Sequence, residues 1–363
     1  MNNKQRIYQI DLFRFIAALS VVLYHYLFMG YNKAVNMSVL NFSEIGDYFK
    51  YGYLGVDIFF IISGFVILLS IKNSSLIDFI IARFIRLYPA YWLCVIVTFL
   101  TIILFGYPTY TANFKVLIIN ITMLQGFLNI QDIDGSYWSL LIELKFYILI
   151  AFFLIINTFK KISVDYLIYF WLIFSVLYVF NSDSYFIKIA NDYLVLEWSS
   201  NFIAGIIFYQ IFINGLNSKN FLLLVVCLFI SLDNAVLRVT PLESYYKTSF
   251  SPYIICAIIS MFFILMLLVS SNRLNSINSP KLIKLGFLTY PLYLIHQNVG
   301  FIIFNNLSES INKYIILIFT ILFMLLFSVL VNKKIEIPLA INIKYYLKNL
   351  TKKIDLYKTK RTE

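Results

Sequence analysis

The stretch IYQIDLFRFIAALSVVLYHY, residues 7–26, is mostly apolar and contains three ionisable side chains, Asp11, Arg14 and His25. Arg14 and His25 are 11 residues apart. At about 100° per residue this separation is close to three helical turns, so both side chains lie on one helix face, ~16 Å apart along the axis. Asp11 precedes Arg14 by one turn, and we expect the two to pair.

Ionisable side chains are costly inside a membrane helix unless they face a polar interior. A spanning helix with three of them on one stripe is therefore predicted to line a site. The alternative is an amphipathic surface helix or a structural ion pair. That alternative leaves His25 unexplained, because it lies too far from Asp11 to belong to such a pair.

The composition indicates a polytopic membrane protein. Of 363 residues, 61% are hydrophobic and 13% are charged, and the mean hydropathy is +0.83. Soluble domains are about 45–50% apolar and about 25% charged. The net charge of +11 lies mainly in short loops and the C-terminal tail, so no nucleic-acid partner is expected. The three cysteines lie in apolar runs without a CxxC pair, and there are two histidines, so we predict no metal site.

The hydropathy pattern predicts ten membrane spans, since a span needs about 20 mostly apolar residues. They cover 7–29, 53–71, 88–106, 139–158, 163–181, 193–213, 220–236, 251–270, 282–305 and 313–332. A further apolar run, 114–128, is short and contains Asn120 and Gln125, which favours a re-entrant or interfacial segment.

The loop charges predict the orientation. With the N-terminus inside, 20 Lys and Arg residues fall in cytoplasmic segments and 7 in outer ones. The predicted fold is therefore an all-α, polytopic transmembrane helical bundle with both termini cytoplasmic. We expect a membrane domain over 1–335 and a basic amphipathic cytoplasmic tail over 336–363, lying on the anionic leaflet.

This topology predicts that His25, Glu143 and His296 lie at similar depth in the outer half of the membrane. His296 has the alternative of a packing histidine in an apolar helix. On the cytoplasmic side, Arg83 and Arg86 are three residues apart and share a helix face. Two adjacent guanidiniums suit a phosphate group, although ordinary positive-inside charge would also explain them.

Together these residues resemble the acyltransferase-3 family of integral membrane O-acyltransferases, in the stand-alone form without a fused hydrolase-like domain. The family motifs occur in order as Asp-x-x-Arg-x10-His (Asp11 to His25), Phe-Phe-x-x-Ser-Gly-Phe-x-Ile (Phe59 to Ile67), Arg-x-x-Arg-x-x-Pro (Arg83 to Pro89), Tyr-Trp-Ser-Leu-x-x-Glu (Tyr137 to Glu143) and Tyr-x-Leu-Tyr-Leu-x-His (Tyr290 to His296). This chain departs from the common pattern at Leu144, Lys145 and Pro291.

The resemblance implies transfer of an acyl group, usually acetyl, from cytoplasmic acyl-coenzyme A to a hydroxyl of a cell-surface or lipid-linked glycan such as O-antigen or capsule. It implies a multi-pass protein of the bacterial cytoplasmic (inner) membrane, with acyl-coenzyme A as a substrate and no bound cofactor or metal. The implied site has three parts: catalytic His25 (general base), Arg14, Asp11 and Glu143; donor-binding Arg83, Arg86, Tyr88, Ser63 and Gly64; and acceptor-binding Tyr137, Trp138, Tyr147 and His296.

Several alternatives stay open from the sequence. Transfer is either direct or through an acyl-enzyme at Ser63 or another nucleophile, and Ser63-Gly64 has the alternative of close helix packing. The acceptor glycan, the acyl chain and the oligomeric state are not determined. A transporter of polysaccharide or lipid-linked sugar is the second interpretation, and coenzyme A binding would separate the two. A structural or sensory membrane protein leaves the buried charges unexplained.

Overall fold

The structure, a computed structural model, describes residues 6–32, 35–71 and 75–346. Those residues form no strand, and their α-helices up to residue 331 are α1 Tyr8–Tyr24, α2 Ser43–Phe49, α3 Gly55–Ile71, α4 Leu76–Phe105, α5 Phe114–Ile121, α6 Trp138–Lys160, α7 Val164–Asn181, α8 Tyr185–Leu194, α9 Leu196–Asn214, α10 Ser218–Leu237, α11 Val239–Tyr246, α12 Pro252–Ser270, α13 Ile283–Leu307 and α14 Lys313–Val331. Shorter 3-10 turns cover Lys50–Leu54, Gln125–Leu128, Gly135–Tyr137, Asn275–Ile277 and Pro280–Leu282, and π turns cover His25–Met29 and Asn332–Glu336.

The predicted ten spans and all-α class are confirmed. Ten segments of the described chain are long and apolar enough to cross a membrane: Tyr8–Met29, Ser43–Ile71, Leu76–Phe105, Gly135–Lys160, Val164–Asn181, Leu196–Asn214, Ser218–Tyr246, Pro252–Ser270, Pro280–Leu307 and Lys313–Tyr346. The apolar run over 114–128 forms only the short helix α5 and a 3-10 turn, so it is too short to span.

The last span continues beyond α14. After α14, a π turn over Asn332–Glu336 leads into helix that continues to Tyr346. The predicted boundary at 335 falls inside this segment. The remainder of the predicted tail, 347–363, lies outside the described residues.

Helix α13 forms the centre of the bundle. Every residue from Thr289 to Ile302 is buried, because α13 packs against α1 on one side and against α4 and α14 on others. Helices α6, α7, α12 and α14 instead expose large apolar side chains, among them Phe152, Ile173, Ile264 and Leu322. This distribution is the one expected when lipid solvates the outer helices.

Helices α3 and α9 approach each other at a pair of glycines. A Cβ built on Gly64 would lie 2.1 Å from the carbonyl oxygen of Phe202, and one built on Gly205 would lie 2.0 Å from the carbonyl oxygen of Ile61. Side chains larger than hydrogen would separate the two backbones. The close crossing fixes α3, which supplies Ser63 to the site described next.

Candidate active site

An inner pocket lies among α1, α3, α4, α6 and α13. The polar side chains that line it come from all five helices and are Arg14, Ser63, Arg86, Ser139, Glu143, Thr289, Tyr290 and Tyr293. Four residues that the sequence singled out are therefore brought together here, namely Arg14, Ser63, Arg86 and Glu143.

Glu143 is held by two hydroxyl groups. Ser63 Oγ donates to Glu143 Oε1 over 2.7 Å, and the Tyr147 hydroxyl donates to the same oxygen. Tyr147 was expected at the acceptor. It lies beside the inner pocket because it follows Glu143 by four residues on α6 and so shares its helix face. Its ring centre is 5.4 Å from the guanidinium carbon of Arg83.

The arginines at the inner pocket are poorly paired. Within the described residues, the guanidiniums of Arg14 and Arg86 form neither an ion pair nor a hydrogen bond. The guanidinium carbon of Arg86 lies 5.5 Å from the ring centre of Tyr290. Arg83 does not line the pocket, and its buried Nε has no hydrogen-bond partner among the described residues. Because a partly buried cation without a counter-charge is costly, this arrangement suits an anionic ligand.

Asp11 does not pair with Arg14, contrary to the expectation. Its two carboxylate oxygens accept hydrogen bonds from Nε and Nη2 of Arg6, at 2.9 and 3.0 Å. Arg6 precedes the first residue of α1, so its side chain is able to fold back onto Asp11. Asp11 also packs against α13, where a Cβ on Gly286 would lie 2.1 Å from Asp11 Oδ1. Asp11 therefore joins the helix N-terminus to α13.

His25 contacts His296. The π turn that follows α1 begins at His25, and its Nδ1 lies 2.8 Å from Nε2 of His296 on α13. His296 Nδ1 lies 2.7 Å from the carbonyl oxygen of Tyr293. His296 is fully buried, whereas His25 is 8% exposed towards the outer cavity described below. His296, expected at the acceptor, therefore lies behind His25.

Glu143 was expected at the depth of His25, but the two residues line different cavities. Trp138, at the start of α6, lines the outer cavity together with His25. Glu143 lies five residues further along α6, about 7.5 Å along the axis, and lines the inner pocket. The hydrogen-bond partner of His25 is His296 instead.

The outer cavity has a volume of about 500 Å³ and is mostly apolar. His25 lies in its wall, which also includes aromatic side chains from α6, α9 and α11: Trp138, Trp198 and Tyr246. The ring centres of Trp138 and Trp198 are 5.7 Å apart. Adjacent indole faces of this kind provide a surface on which the apolar face of a sugar ring can pack.

Arg238 and Trp198 belong to this cavity and were missed by the sequence reasoning. The guanidinium carbon of Arg238 lies 3.7 Å from the ring centre of Trp198, and Nη2 lies 2.7 Å from Oδ1 of the buried Asp57. Asn201 Nδ2 donates to the same oxygen over 3.0 Å. The only sequence signal for this contact was Asp57, because a carboxylate inside a predicted span requires a partner and Arg238 is a cation close to the end of another span.

The two cavities adjoin. Val56 and Tyr293 line both of them. Tyr293 is fixed by its hydroxyl, which lies 2.7 Å from Ser139 Oγ and donates to the carbonyl oxygen of Ser136 over 3.1 Å. The pocket with the arginines therefore meets the cavity with His25 at this tyrosine.

Three other predicted site residues line neither cavity. Tyr137 is fully buried, and its hydroxyl donates to the carbonyl oxygen of Leu294 over 3.0 Å. Tyr88 stacks on Phe84 and donates to the carbonyl oxygen of Thr122, which ties α4 to the segment after α5. Gly64 faces the backbone of α9, as described above. In each case the helix face that carries the residue is used for packing.

Comparison with known proteins identifies the family to which the chain belongs. A family profile described as an acyltransferase domain matches residues 7–333. The chain is similar to the peptidoglycan O-acetyltransferase OatA of Listeria monocytogenes, with 30% identity over 168 residues, which cover 40% of this chain and 24% of that protein. The chain thus spans well under half the length of this relative. No solved structure matches the chain.

Proposed function

The chain belongs to the acyltransferase-3 family of integral membrane O-acyltransferases, and from that premise we propose that it moves an acetyl group from acetyl-coenzyme A to a hydroxyl of a cell-surface or lipid-linked glycan. Family membership confirms the acyltransferase interpretation over the transporter alternative. One observation carries the proposal: a pocket lined by Arg14 and Arg86, which have no ion-pair partner among the described residues, adjoins at Tyr293 a cavity that has a histidine in its wall.

The donor would occupy the inner pocket. Its phosphates would bind Arg86, which lines the pocket at the cytoplasmic side, and Arg83, one turn earlier on α4, while Arg14 would contact the donor further in. Arg14 and His25 are about 16 Å apart along α1. A donor that contacts Arg14 would bring its acyl group to His25 only on a long, narrow arm, and the thiol arm of coenzyme A has this shape.

The acceptor would occupy the outer cavity. Trp138 and Trp198 would pack on the apolar face of a sugar ring, and Gln297 and Tyr246 line the same cavity with polar groups. A site of about 500 Å³ is large enough for one or two sugar rings, so a longer glycan would extend out of it.

The chemical step follows from the donor in the inner pocket and the acceptor beside His25 in the outer cavity. His25 takes the proton of the acceptor hydroxyl as that oxygen bonds to the acyl carbon. The carbon–sulfur bond of the thioester breaks, and the thiolate of coenzyme A leaves and takes up the proton. Ser63 is hydrogen-bonded to Glu143 in the inner pocket and lies on a different cavity from His25. This separation supports direct transfer over an acyl-enzyme at Ser63.

The location that goes with this proposal is the bacterial cytoplasmic (inner) membrane, with both termini and the donor site on the cytoplasmic side. Peptidoglycan, which appears in the name of the Listeria relative, is one member of the proposed acceptor class. We propose the class, a hydroxyl-bearing surface or lipid-linked glycan, for this chain.

The experiment measures acetyl content of surface glycans in cells with and without the protein, and in cells with the His25→Gln variant. The variant should give the acetyl content of cells lacking the protein. Purified His25→Gln should still bind coenzyme A, because the donor site lies in the other cavity. Ile16→Ala, at an exposed position of the same helix, is the matched control and should behave as the natural chain. Normal acetylation with His25→Gln would refute the general-base role.

A further inference from the structure

The two histidines of this chain, His25 and His296, are hydrogen-bonded to each other although 271 positions separate them. His296 does not line the outer cavity, whereas His25 does. The contact therefore joins a residue that faces the acceptor to one that faces only protein. Neither imidazole hydrogen-bonds to a carboxylate in the part of the chain that the structure describes, so we treat both rings as neutral.

The hydrogen-bond geometry determines which nitrogens carry protons. The carbonyl oxygen of Tyr293 only accepts, so Nδ1 of His296, 2.7 Å away, donates to it. A neutral imidazole has one N–H, so Nε2 of His296 is an acceptor. Nδ1 of His25, 2.8 Å from that nitrogen, must then be the donor. The lone pair of His25 is left on Nε2.

His296 is itself held firmly. The Tyr26 hydroxyl donates to the carbonyl oxygen of His296 over 2.6 Å. Tyr293, whose carbonyl oxygen accepts the hydrogen bond from His296, is held through its own hydroxyl by Ser136 and Ser139. On the other side, the π turn that begins at His25 directs its ring towards α13. Both rings are thus constrained by the backbone around them.

We propose that His296 is a positioning residue that holds His25 in the Nδ1–H tautomer, with Nε2 presented to the acceptor hydroxyl. This inference rests on the proposed function, in which His25 is the general base. The proton of the acceptor oxygen goes to Nε2 of His25. The resulting positive charge is stabilised across the Nδ1–H bond to Nε2 of His296, a role that a carboxylate fills in serine-histidine-aspartate triads.

The presence of two histidines makes the tautomers directly observable. The full chain, purified with a histidine-free affinity tag and labelled with 15N at histidine, should show both rings with protonated Nδ1 and unprotonated Nε2. In His296→Gln the amide oxygen of glutamine reaches the position of Nε2 and accepts from His25, so His25 should keep its tautomer. In His296→Leu the acceptor nitrogen of His296 is lost, and the Nδ1–H preference of His25 should weaken.

The kinetic readout separates positioning from folding. His296→Leu should lower kcat by roughly 100-fold or more, as loss of the correct tautomer does in a catalytic triad, while the KM for acetyl-coenzyme A stays unchanged. His296→Gln should retain most of kcat. If His296→Leu does not fold, the tautomer of the natural chain and the activity of His296→Gln still decide the question.

Three results would overturn the inference: protonated Nε2 on His25 in the natural chain, unchanged kcat in His296→Leu, or His296→Gln as inactive as His296→Leu with the tautomer retained. A failure of the proposed function is distinguishable from a failure of this inference. An active His25→Gln variant would remove the general base itself, whereas inactive His25→Gln with fully active His296→Leu would remove only the role of His296.

Discussion

The carboxylate of Asp11 is bound by Arg6, at 2.9 and 3.0 Å, and not by Arg14 one turn further along α1. Arg14 consequently keeps its guanidinium for the inner pocket, where Arg86 and Glu143 are its neighbours. The two arginines of this helix terminus therefore have different roles. Arg6 fixes the start of α1, and Arg14 is available to a ligand.

Arg14→Lys should lower kcat/KM for acyl transfer by about 10- to 100-fold, the value of one or two hydrogen bonds to a charged ligand. Lysine keeps the charge but not the planar donor pair. Arg6→Lys is the matched control and should retain activity, because a lysine at this exposed position still neutralises Asp11. Steady-state kinetics with purified protein measures both. Equal kinetics for the two variants would show that the Arg14 guanidinium does not contact the donor.

The spans were predictable because hydropathy is a local property. A membrane helix needs about 20 apolar residues whatever its neighbours are, and all ten were found. The stripe of Arg14 and His25 predicted residues that line a site; in the structure Arg14 lines the inner pocket and His25 the outer cavity.

The partners across helices were not predictable in the same way. His25 is hydrogen-bonded to His296, which is 271 positions away in the sequence, and Asp57 to Arg238, which is 181 positions away. These contacts depend on which helices pack together and at what height, and a single sequence does not state either. The π turn at His25 adds a local change in helix phase that no residue pattern signalled.

Trp198→Ala should raise the KM for the acceptor by roughly 2- to 10-fold, the value of one aromatic contact, and leave the KM for acetyl-coenzyme A unchanged. Trp198 lines only the outer cavity, so its loss removes a surface from one substrate and not from the other. Trp198→Phe keeps an aromatic face and should be intermediate. An equal rise in both KM values would contradict the assignment of separate cavities to the two substrates.

Gly64→Ala should destabilise the protein by about 1–3 kcal/mol, the usual cost of forcing extra volume into a packed interior. The new methyl group would lie 2.1 Å from the backbone oxygen of Phe202, which is part of a helix and has no freedom to move. Gly126→Ala is a suitable comparison, because the atom closest to its new methyl group is a leucine side-chain carbon, Leu141 Cδ2, at 2.3 Å. Thermal unfolding in detergent should show a clear drop in Tm for Gly64→Ala and a smaller one for Gly126→Ala. Equal Tm values would contradict the close α3–α9 crossing.

Asp134, in the loop before α6, should make stability depend on pH. Burial raises its pKa to about 6, although Ser136 and the backbone N–H of Asn298 donate to the carboxylate. The folded state therefore binds the proton more tightly than the unfolded state, whose pKa is about 3.9. The stabilising contribution of protonation is full below about pH 4 and is lost as the pH rises through about 6.

As the pH falls from about 7.5 to about 5, the Tm of the natural chain should therefore rise relative to the Tm of Asp134→Asn. Asp183→Asn, at a fully exposed carboxylate, is the control and should show no such change. Thermal unfolding at the two pH values measures both. A pH-independent difference for Asp134→Asn would mean that this carboxyl group has the same proton affinity in the folded and unfolded states.

Cysteine labelling tests the orientation, on which the donor assignment depends. The loop charges predict that the segment between α1 and α2 lies outside and that the segment between α3 and α4 lies inside. Asn36→Cys should react with an impermeant thiol reagent in intact cells, and Ser75→Cys should react only after permeabilisation; both positions are exposed. Of the native cysteines, Cys94 and Cys227 are buried and Cys256 is partly buried, so replacing Cys256 removes the remaining background. If Ser75→Cys instead labels from outside, Arg83 and Arg86 on α4 face the compartment where coenzyme A is scarce. The acyl-coenzyme A donor would then fail together with the predicted topology, while the contact between His25 and His296 would be unaffected.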